Sequence, residues 1–267
     1  MLPPVFPQPN IVLSRCIEHA SCRWDGQMIE NSVVRALKPY VNFQVVCPEV
    51  EIGLPVPRDP LRVVETNDGK FLFEPSTGRD LTSEMGTFVT EFIRTLEDVD
   101  GFIFKSKSPS CGVQSTKIFT DIYAEDPLKR GAGLFGGAIL QEYPWHPIEE
   151  ERNLIDITAR ELFFARIFTT RSFREVNKAA SLADLEEFHL NHADLLNAFS
   201  GKLARKMDEL LSAATQEDFE STSVQYEQLL YEIFCLAPYL GAQVQLRDYF
   251  PPALTDIKIP IQELPEN

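Results

Sequence analysis

The sequence predicts an α/β domain built on a mainly parallel sheet, followed by an all-α helical domain. Two patterns carry this. Over residues 8–140, short β-branched and aromatic runs alternate with segments of helical apolar spacing, the mark of strands joined by helices. From about residue 150 the helical spacing continues almost to the end. The boundary is drawn at 148/149, where Gln141-Glu142-Tyr143-Pro144-Trp145-His146-Pro147 breaks the alternation and an acidic run, Glu149 to Glu151, follows.

The first strand is read in the run Asn10-Ile11-Val12-Leu13-Ser14-Arg15-Cys16. Gln27 to Lys38 has Met28, Ile29, Val33, Val34 and Leu37 at helical spacing. Phe43 to Val46 is the second strand. Residues 48–62, with Pro48, Pro55, Pro57 and Pro60, read as loop. Leu61–Val64 and Phe71–Phe73 read as short strands around an Asn67-Asp68-Gly69 turn. Thr82 to Leu96 is an amphipathic helix with Ser83 as its candidate N-cap. The third strand runs from Gly101 to Lys105. Such alternation implies a Rossmann-like three-layer domain, its sheet covered on both faces. In the second domain, helices are predicted over 150–168, 171–178, 182–199, 202–214 and 217–236, with an extended Pro-rich tail after Phe250.

Composition narrows the function. No apolar run approaches the ~20 residues that a bilayer span needs, and the N-terminus lacks the basic and apolar regions of a signal peptide. A cytoplasmic protein is therefore expected. Five cysteines without an export signal point to reduced thiols. The formal net charge of −15 opposes bulk binding to nucleic acid or anionic membranes. Against this acidic background, basic residues gather near the cysteines: Arg15, Arg23, Arg58, Arg62, Lys105, Lys107 and Lys117.

Three of those cysteines follow predicted strands. Cys16 and Cys47 close the first and second, and Cys111 lies a short polar segment beyond the third. Ligands of open α/β sheets bind beyond the carboxyl ends of the strands, so the three thiols are a candidate metal or cluster site. Structural zinc takes four ligands, commonly in close pairs, and no CxxC is present. Three separated cysteines suit a [4Fe–4S] cluster with one accessible iron. Cys22 would make a fourth ligand and close it. Glu49 stands two residues past one thiol, and Ser108 and Ser110 precede another; a carboxylate activates water and a hydroxyl orients it.

These segments resemble the thiouracil desulfidase family. The resemblance rests on Ser14-Arg15-Cys16, Cys22-Arg23-Trp24-Asp25-Gly26, Cys47-Pro48-Glu49 with Gly53-Leu54-Pro55-Val56-Pro57-Arg58, and Lys105-Ser106-Lys107-Ser108-Pro109-Ser110-Cys111-Gly112. It covers about residues 8–150. It implies that Cys16, Cys47 and Cys111 hold a [4Fe–4S] cluster whose remaining iron captures the sulfur of a thiolated nucleobase as a Lewis acid. Water then replaces sulfur without redox chemistry. It implies Glu49 as the acid/base, assisted by Ser108, with Ser110, Arg23 and Asp25 toward the substrate, a small thio-compound. The chain departs at Ile17-Glu18-His19, where many members have Leu-Leu-Gly. Residues 155–240 resemble a bacterial helical domain of unknown function, which could dock a protein partner or a second copy. Two other readings stand beside the enzyme: a cluster-bearing sensor or binding protein without catalysis, and a plain zinc protein.

Two weaker signals remain. Gly131-Ala132-Gly133-Leu134-Phe135-Gly136 satisfies GxGxxG, but 125–130 does not read as a strand and Pro144 limits the helix that follows, so a tight loop near the cysteines is the preferred reading. His189 and His192 lie three apart on a predicted helix, a spacing that serves either a metal or inter-helix packing.

Overall fold

The computed structural model describes residues 6–238 and 245–264. Within these, residues 10–144, 148–160 and 257–264 form one compact unit, and residues 6–9, 145–147, 161–238 and 245–256 form another. The first is α/β and the second is helical. No helix among the described residues is long and apolar enough to cross a membrane.

The α/β unit contains two sheets. The first comprises β1 (Asn10–Ser14), β2 (Asn42–Val46), β6 (Gly101–Phe104) and β9 (Ile148–Glu150), in the order β2-β1-β6-β9 and parallel throughout. β6 is buried along its whole length, as a strand covered on both faces must be. The second sheet, β5-β4-β3-β7-β8, is mixed. Its β3 (Arg62–Thr66) and β4 (Gly69–Glu74) form the hairpin predicted around Asn67-Asp68. β5 (Arg79–Asp80), β7 (Thr116–Phe119) and β8 (Lys129–Gly131) complete it.

The helices depart from the sequence pattern for local reasons. α1 is Ser32–Leu37 rather than 27–38. The Ile29 amide donates to the Cys16 carbonyl at 2.8 Å and its carbonyl accepts from Glu18 at 2.9 Å. That backbone is committed elsewhere, and the helix starts at the Asn31 cap, whose Oδ1 accepts from the Val34 amide at 2.9 Å. The stretch 48–62 is not wholly loop, because α2 (Pro48–Glu51) adds one helical turn with proline at its first position. α3 (Thr82–Arg94) is not capped by Ser83. Leu81 occupies the cap position, and Asp80 Oδ1 accepts from the Thr82 amide at 2.9 Å. α4 (Leu134–Glu142) follows β8, which corrects the reading of 125–130 as free of strand.

In the second half, residue 150 lies in β9, and the helix predicted from there begins at 157. α5 (Ile157–Ala179) also runs unbroken through Thr169 and Thr170, where the pattern predicts a gap. α6 (Leu182–Ala213) carries a non-helical Ser200 (φ −162°, ψ 101°). His189 and Asp208, 19 residues apart, meet at 2.8 Å across that break. A straight helix would separate them by about 28 Å, so α6 folds back at Ser200 into two arms, which match the predicted 182–199 and 202–214. α7 (Phe219–Phe234) packs against α6 through Phe199 and Phe234. The tail after Phe250 is not simply extended. It makes 3-10 turns at Pro252–Leu254 and Ile261–Glu263, and Glu263 Oε2 accepts from the amide and hydroxyl of Ser32 at 2.8 Å.

His192 stacks on Phe188 and packs against Tyr249, and its Nδ1 meets the Phe188 carbonyl at 2.8 Å. Burial pushes its pKa below the ordinary 6.5, the carbonyl opposing and His189 reinforcing the shift. Below about pH 6.5 the unfolded chain binds a proton that this site refuses. The helical unit is therefore expected to lose stability on acidification, by at most about 1.4 kcal/mol per pH unit from this group. Melting temperatures between pH 7.5 and 5 should fall more steeply for the wild type than for His192→Gln. Parallel slopes would sink the assignment.

Candidate functional site

In the parallel sheet the chain leaves β1 toward β2 on one side and returns to β6 on the other. Such a switch point opens a crevice beyond the carboxyl ends of the strands. Cys16 and Cys47 follow β1 and β2 directly, and the loop after β6 delivers Cys111. These three thiols, together with Cys22, Glu49, Arg23 and Ser108, line a cavity of about 400 Å³. All four cysteines are buried and unoxidised. The three predicted thiols and Cys22 thus border one cavity.

The thiols influence one another. The Cys16 thiol bonded to Cys22 raises the Cys22 pKa to about 11, with Cys47 opposing. The bond from Cys22, then burial, pushes Cys47 up. Burial pushes Cys111 up, while the hydroxyls of Ser14 and Ser108 pull it back. Metal coordination deprotonates such thiols outright. Among the described residues, no three His, Cys, Asp or Glu side chains are arranged to hold a single metal ion.

Glu49 is buried between two partners. Its Oε1 accepts from Ser110 Oγ at 2.9 Å, and its Oε2 accepts from Arg58 Nε and Nη2 at 2.7 and 2.6 Å. Arg58, itself buried, also donates to the Cys22 carbonyl at 3.1 Å. Ser110 therefore acts on Glu49 and is not among the residues lining the cavity. Ser108 lines the cavity and shapes the loop, its Oγ accepting from the Cys111 amide at 3.0 Å. Asp25 does not line the cavity either. It pairs with Arg23 at 2.8 Å and accepts from the Gln27 amide at 3.1 Å, closing a turn. Lys105, Lys107 and Arg152 add positive charge to the cavity wall. Arg152, followed by burial and then Arg130, Lys105 and Lys117, lowers the Lys107 pKa, a sign of crowded cations.

Two supports of the Cys111 loop escape the sequence reading, and a third reads there only as a tight loop near the cysteines. Glu150 Oε1 accepts from the amides of Val113, Gln114 and Ser115 at 2.9, 3.1 and 3.1 Å. Burial works to raise its pKa, but these donors and the Ser115 hydroxyl hold it below the usual carboxylate range. Glu151 Oε1 accepts from Ser106 Oγ at 2.9 Å and pairs with Lys105 at 3.1 Å. The acidic run is thus strand and buried anchor, where the pattern predicts a helix starting at residue 150. The third support is the GxGxxG segment. The amides of Gly133, Leu134 and Gly136 donate to the carbonyls of Gly112, Pro109 and Ser110 at 2.8, 3.1 and 2.9 Å. The start of α4 is therefore engaged by the cysteine loop, leaving those donors unavailable to a nucleotide phosphate.

His189 and His192 make a packing arrangement. His189 Nδ1 meets Tyr226 Oη at 3.0 Å and its Nε2 meets Asp208 Oδ1 at 2.8 Å, tying both arms of α6 to α7.

Compared with known proteins, residues 11–151 match the model of the 2-thiouracil desulfurase family. YbbK, an uncharacterized protein of Bacillus subtilis (strain 168), is 24% identical over 109 residues, covering 38% of this chain and 72% of that protein. A solved structure described as the [4Fe-4S]-dependent thiouracil desulfidase TudS shares 24% identity at a TM-score of 0.44. That match spans 55% of this chain and 94% of the solved one.

Proposed function

We propose, because the chain belongs to the 2-thiouracil desulfurase family, that this pocket desulfidates a thiolated nucleobase or related thio-heterocycle. Water gives its oxygen to the ring carbon, and sulfur leaves as hydrogen sulfide. Carbon is neither oxidised nor reduced. The observation that carries the reading is the meeting of Cys16, Cys47, Cys111 and Glu49, from three separate segments, in one cavity.

The donors fit an iron–sulfur cluster. They are thiols, the usual cluster ligands, and the surrounding cations offset the negative charge of thiolates. Held by Cys16, Cys47 and Cys111, a [4Fe–4S] cluster supplies a Lewis-acid iron with a position open to sulfur. The protein does the rest. Glu49 takes a proton from the attacking water and returns one to the departing sulfur. Arg58 and Ser110 fix the direction of that carboxylate. Ser108 holds the Cys111 loop, and Arg23, aligned by Asp25, faces the bound heterocycle.

The test is anaerobic reconstitution, followed by iron and sulfide counts and a sulfide-release assay on 2-thiouracil and 4-thiouracil. Four irons per chain and steady sulfide release are expected from the wild type, and neither from Cys47→Ala. Wild-type protein that binds no iron defeats the cluster assignment. A loaded protein inert toward a thio-heterocycle panel defeats the catalytic one and favours a cluster-bearing sensor.

A further inference from the structure

The fourth thiol in the pocket has no role in the chemistry so far. Cys22 is buried, lines the same cavity as Cys16, Cys47 and Cys111, and accepts at its carbonyl from Cys47 Sγ at 3.8 Å. Its loop is built to bring it there. Ala20 donates its amide to the Arg15 carbonyl at 3.0 Å, and Cys22 donates to the Ala20 carbonyl at 2.9 Å, doubling the chain back toward Cys16. Glu18 adopts φ +59°, a conformation unfavourable for its side chain. It is held there by accepting from the Asn31 amide at 2.7 Å and from Arg35 at 2.8 and 3.1 Å. Arg58 fixes the Cys22 carbonyl. A cysteine needed only as small apolar filling requires none of these restraints. The other three thiols arise where strands of the parallel sheet end or in the anchored loop after β6; Cys22 alone comes from a loop folded back over the cavity.

We propose that Cys22 is a fourth, exchangeable ligand, occupying in the resting protein the iron that Cys16, Cys47 and Cys111 leave open and yielding it to the substrate sulfur. The inference rests on the cluster reading above. The exchange is not a redox step: one iron–sulfur bond breaks as another forms, and the departing Cys22 thiolate takes the proton that the substrate's ring N–H loses as its sulfur binds.

The experiment compares anaerobically reconstituted wild type and Cys22→Ser, a near-isosteric change, after one equivalent of ferricyanide, by low-temperature electron paramagnetic resonance. An iron lacking a protein ligand is shed on oxidation and leaves a paramagnetic three-iron cluster. The wild type should show little of this signal, Cys22→Ser at least several-fold more, and the variant should have a lower KM for 2-thiouracil because no thiolate needs displacing. A Cys22→Ser protein that keeps the wild-type circular dichroism but binds fewer than four irons supports ligation as well. Equal three-iron signals in both proteins overturn the proposal while leaving the cluster reading intact. Absence of iron from the wild type overturns both, and the iron count separates the two failures.

Discussion

Glu49→Gln is expected to reduce sulfide release by about 100-fold or more, the usual contribution of a positioned acid/base, while the iron count stays at the wild-type value. The substitution keeps the shape but removes the proton acceptor. It also leaves Arg58, whose side chain is 3% exposed, facing a neutral amide. Breaking a buried ion pair by removing one partner costs about 3–5 kcal/mol, so a lower melting temperature should accompany the lost turnover. The two effects separate through Arg58→Gln, which removes the same ion pair and retains the carboxylate. If Arg58→Gln melts as early as Glu49→Gln yet turns over at least ten-fold faster, the carboxylate itself carries the proton. If both variants lose turnover equally, Glu49 acts through the ion pair, and its role as acid/base is wrong. A Glu49→Gln protein with more than a tenth of wild-type turnover and a full cluster also excludes that role.

How far the site can be read from sequence depends on where its residues get their signal. β1 and β6 are legible because Ile11-Val12-Leu13 and Phe102-Ile103-Phe104 are runs that a buried strand requires, and β2, which lies at the sheet edge with only Val46 buried, is legible from Phe43, Val45 and Val46. With parallel strands inferred, the cysteines just past their ends fall on one edge by topology alone. Glu49 is legible from its closeness to Cys47. Its partner Arg58 is legible only as one of several cations near the cysteines, because the loop that returns it to the carboxylate is irregular. β7 and β8 are short, and Lys117, Lys129 and Arg130 interrupt them; they exist because neighbouring strands supply hydrogen bonds, which local pattern does not record. Glu150 and Glu151 mislead most. Carboxylates are rarely buried, so an acidic run suggests solvent, while here the single loop between β6 and β7 aims amides and hydroxyls at them. The fold-back at Ser200 is visible because Ser-Gly weakens a helix at the point where its apolar stripe restarts.

The GxGxxG segment yields the sharpest structural contrast in the chain. A Cβ on Gly136 would stand 2.4 Å from the Gly112 carbonyl oxygen and 2.5 Å from that of Cys111. These atoms belong to backbone and cannot rotate away, so either α4 or the cysteine loop must move. Gly137, the next residue on the same helix, would place its Cβ 3.5 Å from the Ala132 methyl, an ordinary contact. Gly136→Ala is therefore expected to destabilise the protein by about 3 kcal/mol, at the upper end of overpacking, and to lower iron retention after reconstitution, because Cys111 shifts with its carbonyl. Gly137→Ala should be neutral or stabilise by up to about 1 kcal/mol, the propensity difference within a helix. Urea denaturation and iron counts on both variants decide the matter. Equal stability and equal iron content would mean that α4 does not brace the Cys111 loop, and that the glycines are there for another reason.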